Sequence, residues 1–275
     1  MRVYMSIDLE GISTIVGSYQ CPHDGAPIEV KRAVTEEVNA AIRGAKAGGA
    51  TEILINENHS GRDLIIDMLD PSAEILIGKP KPLYTIDCLD ETYDCIFMIG
   101  LHARAGTSGA VLDHTWTTKC VMELRINSKP VGELGLNALV ASYYKVPIVL
   151  VTGDDKMKLE AVDLLDGVEC AVVKIGLDRY SARIKHPSII YNEIEESAKR
   201  AMARIKQIKP PVFEHPIVIE IDYENSAYAH RAAYIPTLEL VAPRTVRYTS
   251  DNEIEAFKTF IAAAALPLGV FDKMF

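Results

Sequence analysis

Two carboxylates separated by one residue, Asp8 and Glu10, stand where the first run of strand-forming residues gives way to Gly11. Two later apolar runs end in a comparable way, one in Asn56-Glu57-Asn58-His59-Ser60 and the other in Gly100-Leu101-His102-Ala103-Arg104-Ala105. Carboxylate oxygens and imidazole nitrogens are the donors that Zn²⁺, Mn²⁺ and Co²⁺ take. A single acid or histidine at a strand end is more often a helix cap or a solvated loop residue. Asp8, Glu10, His59 and His102 delivered to one edge by three neighbouring strands are better explained as ligands. A fifth acid, Glu133, lies between Gly132 and Leu134-Gly135 where an apolar helical stretch begins, and flanking glycines let backbone approach a site closely. These five side chains suffice for two metal ions about 3.5–4 Å apart with one carboxylate bridging, the arrangement used to hydrolyse amides and phosphate esters.

The elements that must position them are legible from periodicity. Arg2-Val3-Tyr4-Met5-Ser6-Ile7-Asp8 reads as a first strand, whose period of two places Asp8 and Glu10 on one face and Leu9 on the other. Apolar residues at Val30, Val34, Val38, Ala41, Ile42 and Ala45, between Pro27 and Gly48-Gly49, predict an amphipathic helix over 28–47. Residues 51–56, 95–100 and 146–152 are continuous apolar runs, as expected of strands buried on both faces of a parallel sheet. With helical stretches at 135–144 and 155–165, the pattern predicts the α/β class: a doubly wound, mostly parallel sheet with right-handed crossovers. Ligands of such a sheet lie beyond the carboxyl ends of its strands. A helical stretch over 188–208 stops at Lys209-Pro210-Pro211, and a new strand starts at Ile217. Residues 1–210 are therefore expected to form an α/β metal-binding catalytic domain, and 211–275 a smaller α+β subdomain.

Composition narrows the partners. With 275 residues, 48% of them hydrophobic, the chain can bury a sizeable core, and a net charge of −9 without a dense basic run argues against nucleic acid. The five cysteines, Cys21, Cys88, Cys95, Cys120 and Cys170, form no C-x-x-C pair, which suits reduced thiols in a cytoplasmic protein. Asp8 interrupts any signal-peptide core, and the uncharged stretch 260–271 contains Pro267 and Gly269. It falls short of the roughly 20 apolar residues of a membrane helix, so no membrane partner is expected. No phosphate-cradling G-x-x-x-x-G-K-[ST] loop and no G-x-S-x-G nucleophile elbow occurs.

Four segments, in this order and spacing, resemble the binuclear zinc D-aminopeptidases of the DppA type: Ser6-Ile7-Asp8-Leu9-Glu10-Gly11, Asn58-His59-Ser60, Gly100-Leu101-His102-Ala103-Arg104-Ala105 and Pro130-Val131-Gly132-Glu133-Leu134-Gly135-Leu136-Asn137. The likeness continues through Val151-Thr152-Gly153-Asp154-Asp155. It implies that Asp8 bridges two zinc ions per subunit and that Glu10, His59, His102 and Glu133 complete their coordination. It also singles out His114, in Leu112-Asp113-His114-Thr115, as the catalytic histidine. The activity implied is release of N-terminal D-amino acids from short peptides or aminoacyl amides, inside a ring-like homo-oligomer, a decamer, that encloses its sites. A water or hydroxide held between the metals would attack the peptide carbonyl, with His114 as base, acid or oxyanion-stabilising cation.

Two other readings use overlapping features. A binuclear phosphoesterase would take a similar ligand set, although Arg104 is its only candidate phosphate clamp, and a non-catalytic metal- or solute-binding protein would share the architecture. Asp154 and Asp155 either bind a substrate amine or cap the helix that follows. The C-terminal aromatics Tyr223, Tyr228, Tyr234, Tyr248, Phe257 and Phe260 either fill a second core or line a subunit interface.

Overall fold

The computed structural model describes residues 1–22 and 24–271, with backbone alone at Val270 and Phe271. In chain order the elements are β1 (Arg2–Ile7), α1 (Ile28–Ala47), β2 (Glu52–Glu57), β3 (Ala73–Leu76), β4 (Cys95–Leu101), β5 (Val121–Ile126), β6 (Lys129–Val131) and α2 (Glu133–Tyr144). There follow β7 (Ile148–Asp154), α3 (Asp155–Leu164), β8 (Glu169–Asp178), β9 (Ser181–Arg183), α4 (Pro187–Arg204), β10 (Ile217–Tyr223), α5 (Ser226–Ala232), β11 (Glu239–Ala242), β12 (Thr245–Ser250) and α6 (Glu253–Phe271). The chain divides into two compact units, one of Met1–Ala103, Ser108–Leu112 and Tyr144–Pro211, the other of Arg104–Thr107, Asp113–Tyr143 and Val212 onward.

The first unit carries a seven-stranded sheet in the order β3-β2-β1-β4-β7-β8-β9. β3, β2, β1, β4, β7 and β8 run parallel, and β9 closes the edge antiparallel to β8. The chain winds outward from β1 to β3, then returns to the other side of β1 with β4, so the strand order reverses between β1 and β4. This is the doubly wound, mostly parallel sheet of the sequence pattern. The apolar runs behave as read: every residue of β4 and β7 is buried, and so are the last five of β1. α1 buries Val30, Val34, Val38, Ala41, Ile42 and Ala45 in one cluster with Ile190, Ile194, Ala198 and Ala201 of α4. Each such side chain taken from water is worth about 1.5–3 kcal/mol for the larger ones. The helix stops at Gly48-Gly49, where Gly49 takes φ +96° and Ala50 N–H bonds back to Ala45 O at 2.9 Å.

The second unit is a five-stranded antiparallel sheet, β11-β12-β10-β5-β6, with α2, α5 and α6. A boundary at Pro210 therefore catches only one crossing of the chain. Residues 104–107 and 113–143, which the sequence assigned to the catalytic domain, group with the C-terminal segment because β5 pairs with β10, Leu124 opposite Ile221 and Ile126 opposite Ile219. Along β10, Ile217, Ile219, Ile221 and Tyr223 are buried in strict alternation. Tyr223 OH donates to Ala263 O of α6 at 2.9 Å, and Phe260 meets Trp116 edge-on with ring centroids 6.1 Å apart. Tyr223, Phe257 and Phe260 are thus core residues, Tyr228 and Tyr248 are half-buried, and Tyr234 remains 68% exposed. The apolar stretch 260–271 continues α6, with the side chains of Val270 and Phe271 outside the described residues. Among the described residues no helix is long and apolar enough to cross a membrane.

Candidate metal centre

β1 and β4 end at the reversal of strand order, where an open α/β sheet forms a crevice beyond its strands. The β1 ladder stops at Ile7, so Asp8 and Glu10 occupy the turn after the strand instead of its face. Backbone bonds still stitch the two ends together, Asp8 N to Ile99 O at 2.9 Å and Gly11 N to Gly100 O at 2.7 Å. A Cβ on Gly100, which has φ +72°, would sit 2.3 Å from Asp8 O, and one on Gly11 would sit 2.1 Å from Leu101 O. Glycine at both positions is what lets the acid-bearing turn and the end of β4 approach. From β8, the buried Lys174 Nζ donates to the carbonyls of Glu10, Ile12 and Ile15 at 2.6, 2.8 and 2.6 Å, and Ser13 N donates to Glu37 Oε1 at 2.9 Å. The turn that presents Glu10 is held at four points. Burial draws the Lys174 ammonium down to about 8 and pushes the Glu37 carboxyl up to about 7.

Asp8, Glu10 and His102 offer donor atoms that all lie within 4.8 Å of one another. His102 Nε2 is 3.5 Å from Asp8 Oδ2, and His59, just beyond β2, has Nε2 3.4 Å from Glu10 Oε1. The opposite nitrogens are also engaged: His102 Nδ1 lies 3.0 Å from Ala103 O, and His59 Nδ1 lies 3.3 Å from Asp63 Oδ2. Burial opposes a charge on His59, but Glu10, Asp63 and Asp8 outweigh it and raise its pKa to about 11. Carboxylates that hold a proton this firmly on an imidazole form a setting suited to a divalent cation, and oxygen and imidazole donors fit zinc. Asp63 is itself buried, yet hydrogen bonds from His59, Ser60 and Ala26 overcome that burial and keep its carboxyl well below the usual carboxylate range.

In the second unit Glu133 opens α2, and its Oε1 accepts from Trp116 N at 2.9 Å. His114 Nε2 lies 3.9 Å from the same oxygen. Both chain neighbours of His114 are tied down, Asp113 Oδ2 accepting from Gly106 N at 2.7 Å and Thr115 Oγ1 from Ala105 N at 3.2 Å. Asp8, Glu10, His59 and His102 therefore gather in the first unit, and Glu133 and His114 are neighbours in the second. Asp154 takes the capping role, accepting from Lys156 N and Met157 N at 3.0 and 2.8 Å, and its other oxygen accepts from Val111 N. Asp63 and Lys174 escaped the sequence reading. Asp63 carries only the weak signal of lying four residues after His59, whereas Lys174, a lone charge in Ala171-Val172-Val173-Lys174-Ile175, is visible as an anomaly in an apolar strand.

Known proteins resemble this chain over nearly its whole length. The family model described as D-aminopeptidase matches residues 1–262. The D-aminopeptidase of Bacillus subtilis (strain 168) is 33% identical over 271 residues, 98% of each chain. A solved structure described as the Zn-dependent D-aminopeptidase DppA from Bacillus subtilis, a self-compartmentalizing protease, superposes with a TM-score of 0.93 at 32% identity, again over 98% of both chains. Matched over nearly its whole length by one family model and by a relative one-third identical to it, the chain belongs to the D-aminopeptidase family.

Proposed function

We propose that this protein is a zinc aminopeptidase that releases N-terminal D-amino acids from short peptides or aminoacyl amides, with two zinc ions per subunit on Asp8, Glu10, His59, His102 and Glu133. The observation that carries this reading is the convergence of Asp8, Glu10, His59 and His102 at the reversal of strand order, in a chain of the D-aminopeptidase family. The related Bacillus subtilis enzyme, described as zinc-dependent, supports the choice of metal. Two histidines, each facing a different carboxylate, support the count of two. A zinc pair supplies Lewis acidity that lowers the pKa of water and polarises a carbonyl. The chain's own part is to hold Asp8 and Glu10 rigidly through Gly11, Gly100 and Lys174, to aim both imidazoles by their Nδ1 partners, and to move a proton at His114 Nε2 toward the departing amine.

The protein works as a homo-oligomer, a decamer enclosing its sites, in the cytoplasm. The self-compartmentalizing relative supports the first statement, and five cysteines that are all free thiols support the second. Metal analysis of the purified protein followed by a screen of D- and L-aminoacyl amides and short peptides tests the core of the reading. Two equivalents of zinc per chain and preference for D-substrates are expected, with turnover lost on chelation and restored by zinc. Asp8→Ala should bind neither ion, because the carboxylate that would serve both is lost. Hydrolysis of phosphate monoesters in place of peptides would make the protein a phosphoesterase, and an Asp8→Ala variant that keeps two zinc ions would remove the bridging role.

A further inference from the structure

His59 and His102 meet the acid-bearing turn in nearly the same way, Nε2 to carboxylate oxygen at 3.4 and 3.5 Å. What stands behind them differs. His102 Nδ1 has a neutral partner, the carbonyl of Ala103 at 3.0 Å. His59 Nδ1 has a charged one, the Asp63 carboxylate at 3.3 Å. Asp63 cannot turn away, because its Oδ2 also accepts from Ser60 N at 2.9 Å, its Oδ1 accepts from Ala26 N at 2.8 Å, and the residue is fully buried. We infer that the two metal positions are unequal: Asp63 is a positioning residue that makes the ion held through His59 the tightly bound one and leaves the ion held through His102 the exchangeable one.

The physical basis is the behaviour of a neutral imidazole as a ligand. It must carry its hydrogen on Nδ1 and offer the Nε2 lone pair, and the acceptor at Nδ1 decides how firmly that tautomer is kept and how basic Nε2 is. A backbone carbonyl fixes the tautomer alone. A buried carboxylate fixes it and also pushes electron density toward the metal, with little solvent to screen its charge. Asparagine at position 63 would keep an oxygen toward Nδ1, because the atom that faces His59 also accepts from Ser60 N, but that oxygen would carry no charge and would push less electron density toward the metal.

This inference rests on the two-zinc reading, and stepwise zinc titration separates the two. Metal-stripped protein competed against a fluorescent chelator should take up zinc in two resolved steps. Asp63→Asn should weaken the tighter step by roughly 10–100-fold, the usual effect of losing a partner behind a metal ligand, and leave the weaker step in place. Asp63→Glu, which keeps the charge, should recover part of that loss. Thermal melting of the stripped proteins distinguishes a site effect from general destabilisation. A wild type that takes up one equivalent or none fails the two-zinc reading. A wild type with two steps that Asp63→Asn leaves unmoved, or whose weaker step is the one that shifts, overturns the inequality alone. Should Asp63→Asn fail to fold, the ¹⁵N-histidine spectrum of zinc-loaded wild type decides: His59 must show a protonated Nδ1 and a metal-bound Nε2, and the reverse overturns the role of Asp63.

Discussion

His114 sits on a loop whose backbone its chain neighbours hold. The backbone on either side is fixed by Asp113 and Thr115, and the imidazole Nε2 lies 3.9 Å from Glu133 Oε1. Such a side chain can be shortened without loosening the loop. His114→Ala is therefore expected to keep its full zinc content while kcat falls by roughly 10²–10⁴, the usual size of a general acid–base contribution. Atomic absorption and steady-state kinetics on the same preparation check this. Loss of zinc would make His114 a ligand, and retention of most turnover would leave it a bystander.

At the level of elements, α1 and β8 brace the turn after β1 from below, α1 through Glu37 and β8 through Lys174. Glu37 is fully buried, and burial raises its carboxyl to about 7 against the opposing hydrogen bonds from Ser13 and the charge of Lys174. The unfolded value is near 4.5. A carboxyl whose folded pKa is the higher one favours folding fully only below the unfolded value, and that contribution is lost as pH rises through the folded one. Glu37→Gln keeps the shape and the acceptor for Ser13 N without the ionisation. The variant should therefore gain on wild type between pH 4.5 and 7, by roughly 3 kcal/mol at the top of that window. Urea unfolding of both proteins across the window measures it, and a difference that does not change with pH would show that Glu37 titrates as an ordinary carboxyl.

For the whole molecule, the question is association. In the first unit Leu177 and Tyr180, 65% and 63% exposed, lie at the end of β8 and in the turn to the edge strand β9, and Leu159 and Val162 of α3 are 64% and 51% exposed. Exposed apolar side chains and an open strand edge are features that proteins ordinarily cover. Light scattering at micromolar concentration should give a mass near ten times the 30.3 kDa of one chain. Short D-peptides should be cleaved, while a folded protein bearing an N-terminal D-residue should be spared. A 30.3 kDa monomer, or efficient trimming of the folded protein, would remove the enclosed chamber and leave the zinc chemistry standing.

Local pattern was enough for the parallel core. The buried runs of β1, β2, β4 and β7, the stripe of α1 and the glycine stop after it all follow from periodicity, because burial on two faces or one leaves a direct trace in neighbouring residues. Asp8, Glu10, His59 and His102 were readable for the same reason: parallel strands must end at one edge, so residues just past their ends share it. The tertiary structure decided what depends on distant segments meeting. β5 joined the C-terminal strands because Leu124 and Ile126 found Ile221 and Ile219, roughly ninety residues away in sequence. Tyr223, Phe257 and Phe260 became core because α6 packs against β10. Asp63 and Lys174 acquired their roles only when folding removed water from them, since a buried charge must find partners and only the assembled fold determines which partners are within reach.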